Sequence, residues 1–354
     1  MDDIGVGLLG FGLAGETFHS PLILATPGLR LVAVATRNAA KVHERLGPDV
    51  AVTTAEGVIA RDDVGLVVVA TPNELHHPQA LAALAAGRHV VVDKPFALNQ
   101  AQARELAAAA QSRGLVLSVF HNRRWDSDFL TLARVVREGT LGRVVEFVSH
   151  FDRFRPQVRA NWRQSVGPGT GLWMDLGPHL VDQCVRLFGT PAAIALDLNA
   201  ARDGALVDDW FHAQLRWSQG THAGLRARLH GSALVARPNE RFTVHGTRGS
   251  FVVEGLDPQE DTLKAGASRA DIASADWGRD PRVAHLWIGD GDSLRHEDAP
   301  LLNGAYPAYY AALRDAVRGT GPNPVPVEQA ILVQQLLDLG VQAARERREI
   351  ALAD

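Results

Sequence analysis

Three glycines in Gly10-Phe11-Gly12-Leu13-Ala14-Gly15 stand at the spacing G-x-G-x-x-G, directly after an apolar run from Ile4 to Leu9. Glycine there permits a tight turn and close backbone approach to a pyrophosphate, whose charge a following helix N-terminus favours. The chemistry served is dinucleotide binding, with Gly10, Phe11, Gly12, Leu13 and Ala14 against the cofactor. A plain glycine turn is the bland alternative; a strand before and a helix after set the two apart. About 20 residues further on, an NAD site carries an acid for the ribose hydroxyls. Here the second apolar run ends Ala35-Thr36-Arg37-Asn38, with no acid. Thr36 and Asn38 can hydrogen-bond a 2′-phosphate, and Arg37 can pair with it and stack on adenine. The expectation is NADP, with NAD as the lesser cofactor.

Two further stretches carry groups that can move charge. Val90-Val91-Val92-Asp93-Lys94-Pro95-Phe96 runs a buried strand into an acid, a lysine and a proline. The proline restricts Lys94 to extended backbone. That aims a cation at a fixed point, where it can stabilise alkoxide-like charge; a solvated strand-end lysine is the alternative. In "DLGPHLVDQCVRLF", Leu180, Val181, Cys184, Val185 and Phe188 form one helical stripe, and His179, Asp182, Gln183 and Arg186 form another. His179 is therefore expected off the core face, near a helix start with Pro178 in the first turn. The dipole there keeps an imidazole neutral and basic. Asp175 is expected on the approach to that helix. Histidine is the usual base for a hydroxyl proton; an Asp N-cap beside a surface histidine is the competing reading, and these residues alone do not choose.

The scaffold follows from the order of elements. Apolar runs at 4–9, 29–35, 64–70, 90–92 and 115–120 are separated by Ala/Leu-rich helical segments. Strands apolar throughout, alternating with helices, give a parallel sheet covered on both faces, in a Rossmann-type layout. Loops at its strand ends line a ligand crevice. Thr71, Pro72, Asn73 and His76 after the third run, and Asn122 after the fifth, are further cofactor contacts on that ground. Beyond His121 comes a helix over 126–138, then longer alternating strands at 143–154, 208–217, 221–230, 241–245 and 250–254. These suit an antiparallel sheet with one face exposed or partner-covered. Residues 255–298 are Gly/Asp-rich and poorly periodic, and are expected to form a long irregular excursion. Helices over 305–318 and 327–346 close the chain. The fold class is α/β, with a Rossmann domain over 1–122 and an α/β domain with an open, mostly antiparallel sheet over 123–354.

The 354 residues carry a net charge of −4, so no basic excess draws a polyanion and nucleic acid is not an expected partner. No run approaches the ~20 apolar residues that cross a bilayer. No basic and apolar leader opens the chain, and a cytoplasmic protein is expected. Cys184, the one cysteine, reads as core filler. No Cys/His spacing resembles a zinc site, and no metal is expected.

Taken in order, "GFGLAG", "ATPNELHHPQA", "GRHVVVDKPFAL" and "DLGPHLVDQ" resemble the Gfo/Idh/MocA oxidoreductases along essentially the whole chain. The segments "HNRRWDSDFLT", "FDRFRPQVRANWR" and "NGAYPAYY" further resemble the branch containing NADP-dependent scyllo-inositol dehydrogenases. The resemblance implies oxidation of a secondary hydroxyl on a cyclitol or sugar, with a scyllo-inositol-like substrate first. It transfers catalytic and substrate-binding roles to Lys94 of the Lys-Pro motif and to Asp175 and His179 of D-x-G-x-H. It also implies a cis Lys94–Pro95 bond, and a homodimer or homotetramer built through the exposed face of the C-terminal sheet. Asp93 stands where the family usually has Glu, and is expected to orient a cofactor ribose or Lys94. Trp162 and Arg163 are expected to approach the nicotinamide, and Arg123, Arg153 and Tyr306 to bind substrate hydroxyls. The alternatives are a non-catalytic NAD(P)-binding sensor and a relative acting on a different aldose or a dihydrodiol.

Overall fold

The computed structural model describes residues 2–159, 162–237 and 239–352. The chain forms two compact units, each assembled from three segments. The first takes Met1–Trp125, Pro258–Gly278 and Ala305–Ile331; the second takes Asp126–Asp257, Arg279–Gly304 and Leu332–Asp354. This division differs from the expected contiguous one, 1–122 and 123–354, by the short later segments that join the first unit. Trp277, Tyr306, Tyr309, Tyr310 and Leu313 are buried in the core of the first unit. Nothing local in a sequence says which distant core an aromatic residue will join.

The first unit holds a six-stranded sheet of β1 (Ile4–Leu9), β2 (Leu29–Ala35), β3 (Ala51–Thr53), β4 (Leu66–Val69), β5 (His89–Val92) and β6 (Leu117–Val119). Its order is β3-β2-β1-β4-β5-β6 and every pairing is parallel. Three residues with no fully buried face make β3 too short to show as an apolar run. The strand order reverses between β1 and β4, the switch point at which such sheets bind ligands, and the glycine loop leaves β1 there.

The second unit holds β7 (Val144–Asp152), β8 (Ala193–Asn199), β9 (Trp210–Arg216), β10 (Arg226–Ser232), β11 (Glu240–Gly246), β12 (Gly249–Glu254), β13 (Val283–Ile288), β14 (Arg295–Pro300) and β15 (Ile350–Ala351). They form one sheet in the order β14-β13-β12-β11-β7-β10-β9-β8-β15. Only β7 and β10 pair in parallel; the other pairings are antiparallel. Phe147, Phe151, Phe211, Leu215, Ala227 and Leu229 point to a core shared with the helices Ser127–Arg137 and Leu172–Phe188. The alternate residues, among them His150, Asp152, His212 and His230, lie on the opposite face of the sheet. The expected irregular excursion over 255–298 is also corrected. It contains the helices Gln259–Lys264 and Arg269–Ile272 and the β13–β14 hairpin. These helices are short and β14 is exposed along most of its length, so neither shows a periodic apolar pattern.

Candidate active site

In the first unit, the glycine loop is cut to fit a close-lying ligand. Gly10 has φ +95°, and a Cβ there would lie 2.5 Å from the Ala70 carbonyl oxygen. A Cβ on Gly15 would lie 2.2 Å from the Gly10 oxygen, whereas one on Gly12 would meet nothing within 4 Å. The two outer glycines therefore close the turn, and the middle one leaves open space where a pyrophosphate would approach. The helical segment starts at Leu13, and Glu16 N–H donates to the Gly12 carbonyl. The amides of that first turn are the orphan donors of a helix start. These features fit a dinucleotide. At the end of β2, Thr36 Oγ1 accepts the Asn38 N–H, and the Asn38 side chain caps the helix Ala39–Leu46 through the Lys41 N–H. Arg37 is exposed. Lys41, not singled out from the sequence, ion-pairs with Glu16 at 2.5 Å and lies 5.8 Å over the Phe11 ring. Arg45 also approaches Glu16.

The other strand ends gather in the same unit. Thr71 Oγ1 donates to Gln79, and Asn73 is buried. His76 is buried, with Nδ1 2.8 Å from the Pro95 oxygen and Nε2 3.0 Å from the Thr71 oxygen. Burial lowers its pKa, and its ring braces the strand ends at Thr71 and Pro95. The Lys94–Pro95 peptide is cis. Asp93 accepts the Lys94 N–H at 2.8 Å and faces His19 Nε2 at 3.9 Å. His19 Nδ1 in turn lies 2.6 Å from the Tyr310 hydroxyl. A proton on Nε2 lets His19 face the carboxylate and accept from the tyrosine at once. Burial pushes the Asp93 carboxyl up, but His19, Lys94 and His76 outweigh it and hold the carboxyl at about 2. Burial keeps Tyr310 protonated, far above its ordinary range. His19 sits in a π-helical turn, Gly15–His19, a distortion often found at functional sites.

Asn122, Arg123 and Arg124 form a buried 3₁₀ turn after β6. Arg123 pairs with Glu260, and its Nη1 reaches the hydroxyl of the fully buried Tyr306 at 3.5 Å. The Tyr306 N–H donates to Gln259. Arg123 and Tyr306, expected to bind substrate, are placed where they help tie the returning segment 258–278 into the unit. Trp125 packs edge-on to Tyr309 at 5.6 Å.

In the second unit, the helix carrying Asp175 and His179 is Leu172–Phe188. It begins earlier than expected because its start is held from afar. Asp208 accepts the Trp173 N–H on its carboxylate at 2.7 Å and the Leu172 N–H on its backbone oxygen at 2.8 Å. Gly171, with φ +94°, makes room for that carboxylate. Pro178 is therefore interior, not in the first turn. The helix-start argument for a neutral His179 fails, since the dipole acts within the first turn. The polar stripe is also buried: His179, Asp182 and Gln183 are all enclosed. Beneath them the buried Arg241 donates to Gln183 Oε1 and Ser149 Oγ, each at 2.6 Å. Asp175 and His179 lie one turn apart. Arg163 Nε is 3.6 Å and Arg153 Nη1 3.9 Å from the Asp175 carboxylate. The Arg153 guanidinium lies over Phe151, whose ring stacks at 6.5 Å on His179. Arg163 lies over Trp162 at 4.6 Å. Four expected residues, Arg153, Arg163, Asp175 and His179, thus form one cluster: a carboxylate between two guanidiniums, beside an imidazole.

Comparison with known proteins accords with both units. Residues 4–121 match the family model GFO_IDH_MocA, "Oxidoreductase family, NAD-binding Rossmann fold". Residues 133–352 match its companion, "Oxidoreductase family, C-terminal alpha/beta domain". The chain is 49% identical over 352 residues to the uncharacterized oxidoreductase YdgJ of Escherichia coli (strain K12), covering 99% of each. It is 35% identical to the scyllo-inositol 2-dehydrogenase (NADP(+)) IolW of Bacillus subtilis (strain 168), covering 99% of this chain and 97% of that one. The solved structure of YPO2259 from Yersinia pestis superposes with a TM-score of 0.93 at 46% identity, covering 100% of this chain and 98% of that one. With the glycine cradle, the Lys-Pro strand end and the Asp175–His179 pair in place, the chain belongs to the Gfo/Idh/MocA oxidoreductase family and carries its NAD(P)-binding Rossmann unit.

Proposed function

We propose that the protein oxidises a secondary hydroxyl of a cyclitol or sugar to a ketone, with NADP as the preferred acceptor and scyllo-inositol-like polyols as first candidates. The observation that carries this reading is the helix-borne pair Asp175–His179, with Arg153 and Arg163 on the carboxylate. The relative whose name states this activity is similar over nearly the full length of both chains. The bound nicotinamide supplies the hydride acceptor. His179 takes the hydroxyl proton, and Lys94 stabilises the charge that develops on the oxygen. Asp175 orients the imidazole or a neighbouring hydroxyl. Thr36 and Arg37 supply the NADP preference, with Lys41 adding positive charge.

NADP reduction across a panel of inositols and aldoses tests the substrate class. Cofactor binding with no turnover on any polyol would favour the sensing role instead. Lys94→Ala and His179→Ala are each expected to lower kcat by about 10²–10⁴-fold while leaving NADP affinity intact. Near-normal turnover in either single variant removes that residue from the mechanism. Arg37→Ala should cut kcat/KM for NADP by about tenfold or more, with little change for NAD; equal losses with both cofactors would refute a 2′-phosphate contact.

A further inference from the structure

The sheet face opposite the helices in the second unit carries histidines in register across three strands. His212 of β9 pairs with His230 of β10, which pairs with His150 of β7. Two residues beyond His150 on the same face stands Asp152. His150 Nδ1 lies 3.3 Å from Asp152 Oδ2, and His230 Nε2 lies 3.6 Å from Asp152 Oδ1. Donor atoms of all three residues fall within 4.8 Å of one another. The Asp152 side chain is only 3% exposed. Its Oδ1 and the His150 Nδ1 are shielded from water and make no hydrogen bond. The other carboxylate oxygen accepts from Asn239 Nδ2 at 2.7 Å.

Two buried polar atoms left without hydrogen bonds require an account. The separations supply one. Nitrogen and oxygen donors bound to zinc at ~2.0–2.1 Å in a tetrahedron stand about 3.3 Å apart. A direct hydrogen bond would bring them closer. We propose that His150, Asp152 and His230 form a binding site for a borderline divalent transition-metal ion, Zn²⁺ in the first instance. The donor set of two imidazoles and a carboxylate suits that class of ion. Asn239 fixes the carboxylate, as partners of metal ligands do, and Trp210 packs edge-on to the His230 ring at 5.5 Å. The fourth position is left to water. Sequence spacing could not reveal the site, because its ligands meet across strands and only the His-x-Asp on β7 is local. The proposal is independent of the catalytic reading above.

The probe is Co²⁺, titrated into the metal-stripped full-length protein and followed by its visible d–d absorption, with Zn²⁺ as competitor. One tetrahedral Co²⁺ per chain, displaced by Zn²⁺, is expected. The signal should vanish in His150→Gln, His230→Gln and Asp152→Asn, and Asn239→Ala should weaken affinity on the order of tenfold. His285, His296 and Asp298 form a second, more exposed group on the same sheet, so His296→Gln is the control and should bind as the parent does. Thermal melting and NADP binding establish that each variant is folded. Should one ligand variant fail to fold, the other two decide. Absence of stoichiometric Co²⁺, a signal that survives loss of His150 or His230, or one lost in His296→Gln would each overturn the proposal.

Discussion

Asp93 holds its charge against burial, and the largest source of that charge stability, ahead of Lys94 and His76, is a histidine 74 positions earlier in the chain. Its folded pKa lies below the ordinary carboxylate value, so the stabilisation is fully present above that value and is lost as pH falls toward about 2. The shift corresponds to about 2 kcal/mol. His19→Ala should therefore lower stability at pH 7, with a smaller deficit at pH 3. Urea unfolding at both pH values measures it, and an equal deficit at each would assign the loss to packing alone. Tyr310→Phe keeps the ring and removes one hydrogen bond, for about 1 kcal/mol. The lysine-proline strand end was legible because it is a local pattern. The acid's supporting pair was not, since His19 and Tyr310 lie 291 residues apart and neither belongs to a motif.

The helix Leu172–Phe188 shows the same division at the next scale. Its apolar stripe of Leu180, Val181, Cys184, Val185 and Phe188 is buried as the periodicity indicates. Its start and its polar stripe were misread, because Asp208 supplies the cap from another segment and Arg241 gives the buried amide a partner. Burial raises the Asp208 carboxyl to about 6, against the hydrogen bond from Trp173. Between roughly pH 4 and 6, then, the folded chain keeps a proton that the unfolded chain has released, and stability declines as pH rises through that window. Asp208→Asn keeps an acceptor for Trp173 without the charge. Its melting temperature at pH 8 should equal or exceed that of the parent, with the advantage gone by pH 4. An Asn variant less stable at pH 8 than at pH 4, relative to the parent, would contradict this. Asp208→Ala loses the cap instead, at a cost of about 1 kcal/mol, and should lower kcat by loosening Asp175.

Across the whole molecule, the alternation of strands and helices announced the parallel sheet, and the longer alternating strands announced the antiparallel one. The segments that return to the first unit were not announced, because they are short and their anchors are single aromatics. Tyr309 meets Phe120 edge-on at 4.9 Å and donates to Ser118, while Trp277 Nε1 donates to Gln259. Cutting the chain after Asp257 should leave the first unit unable to fold cooperatively, despite an intact six-stranded sheet sequence. A sharp unfolding transition with retained NADP binding in that fragment would disprove it. The interleaving also bears on how the protein is made. A chain emerging from the ribosome usually completes its N-terminal domain first. Here the nucleotide-binding half, though it leads the sequence, stays unfinished until Tyr309 and Tyr310 have been translated, so its strands wait, partly uncovered, through most of synthesis, and that interval is when the nascent chain is most in need of a chaperone.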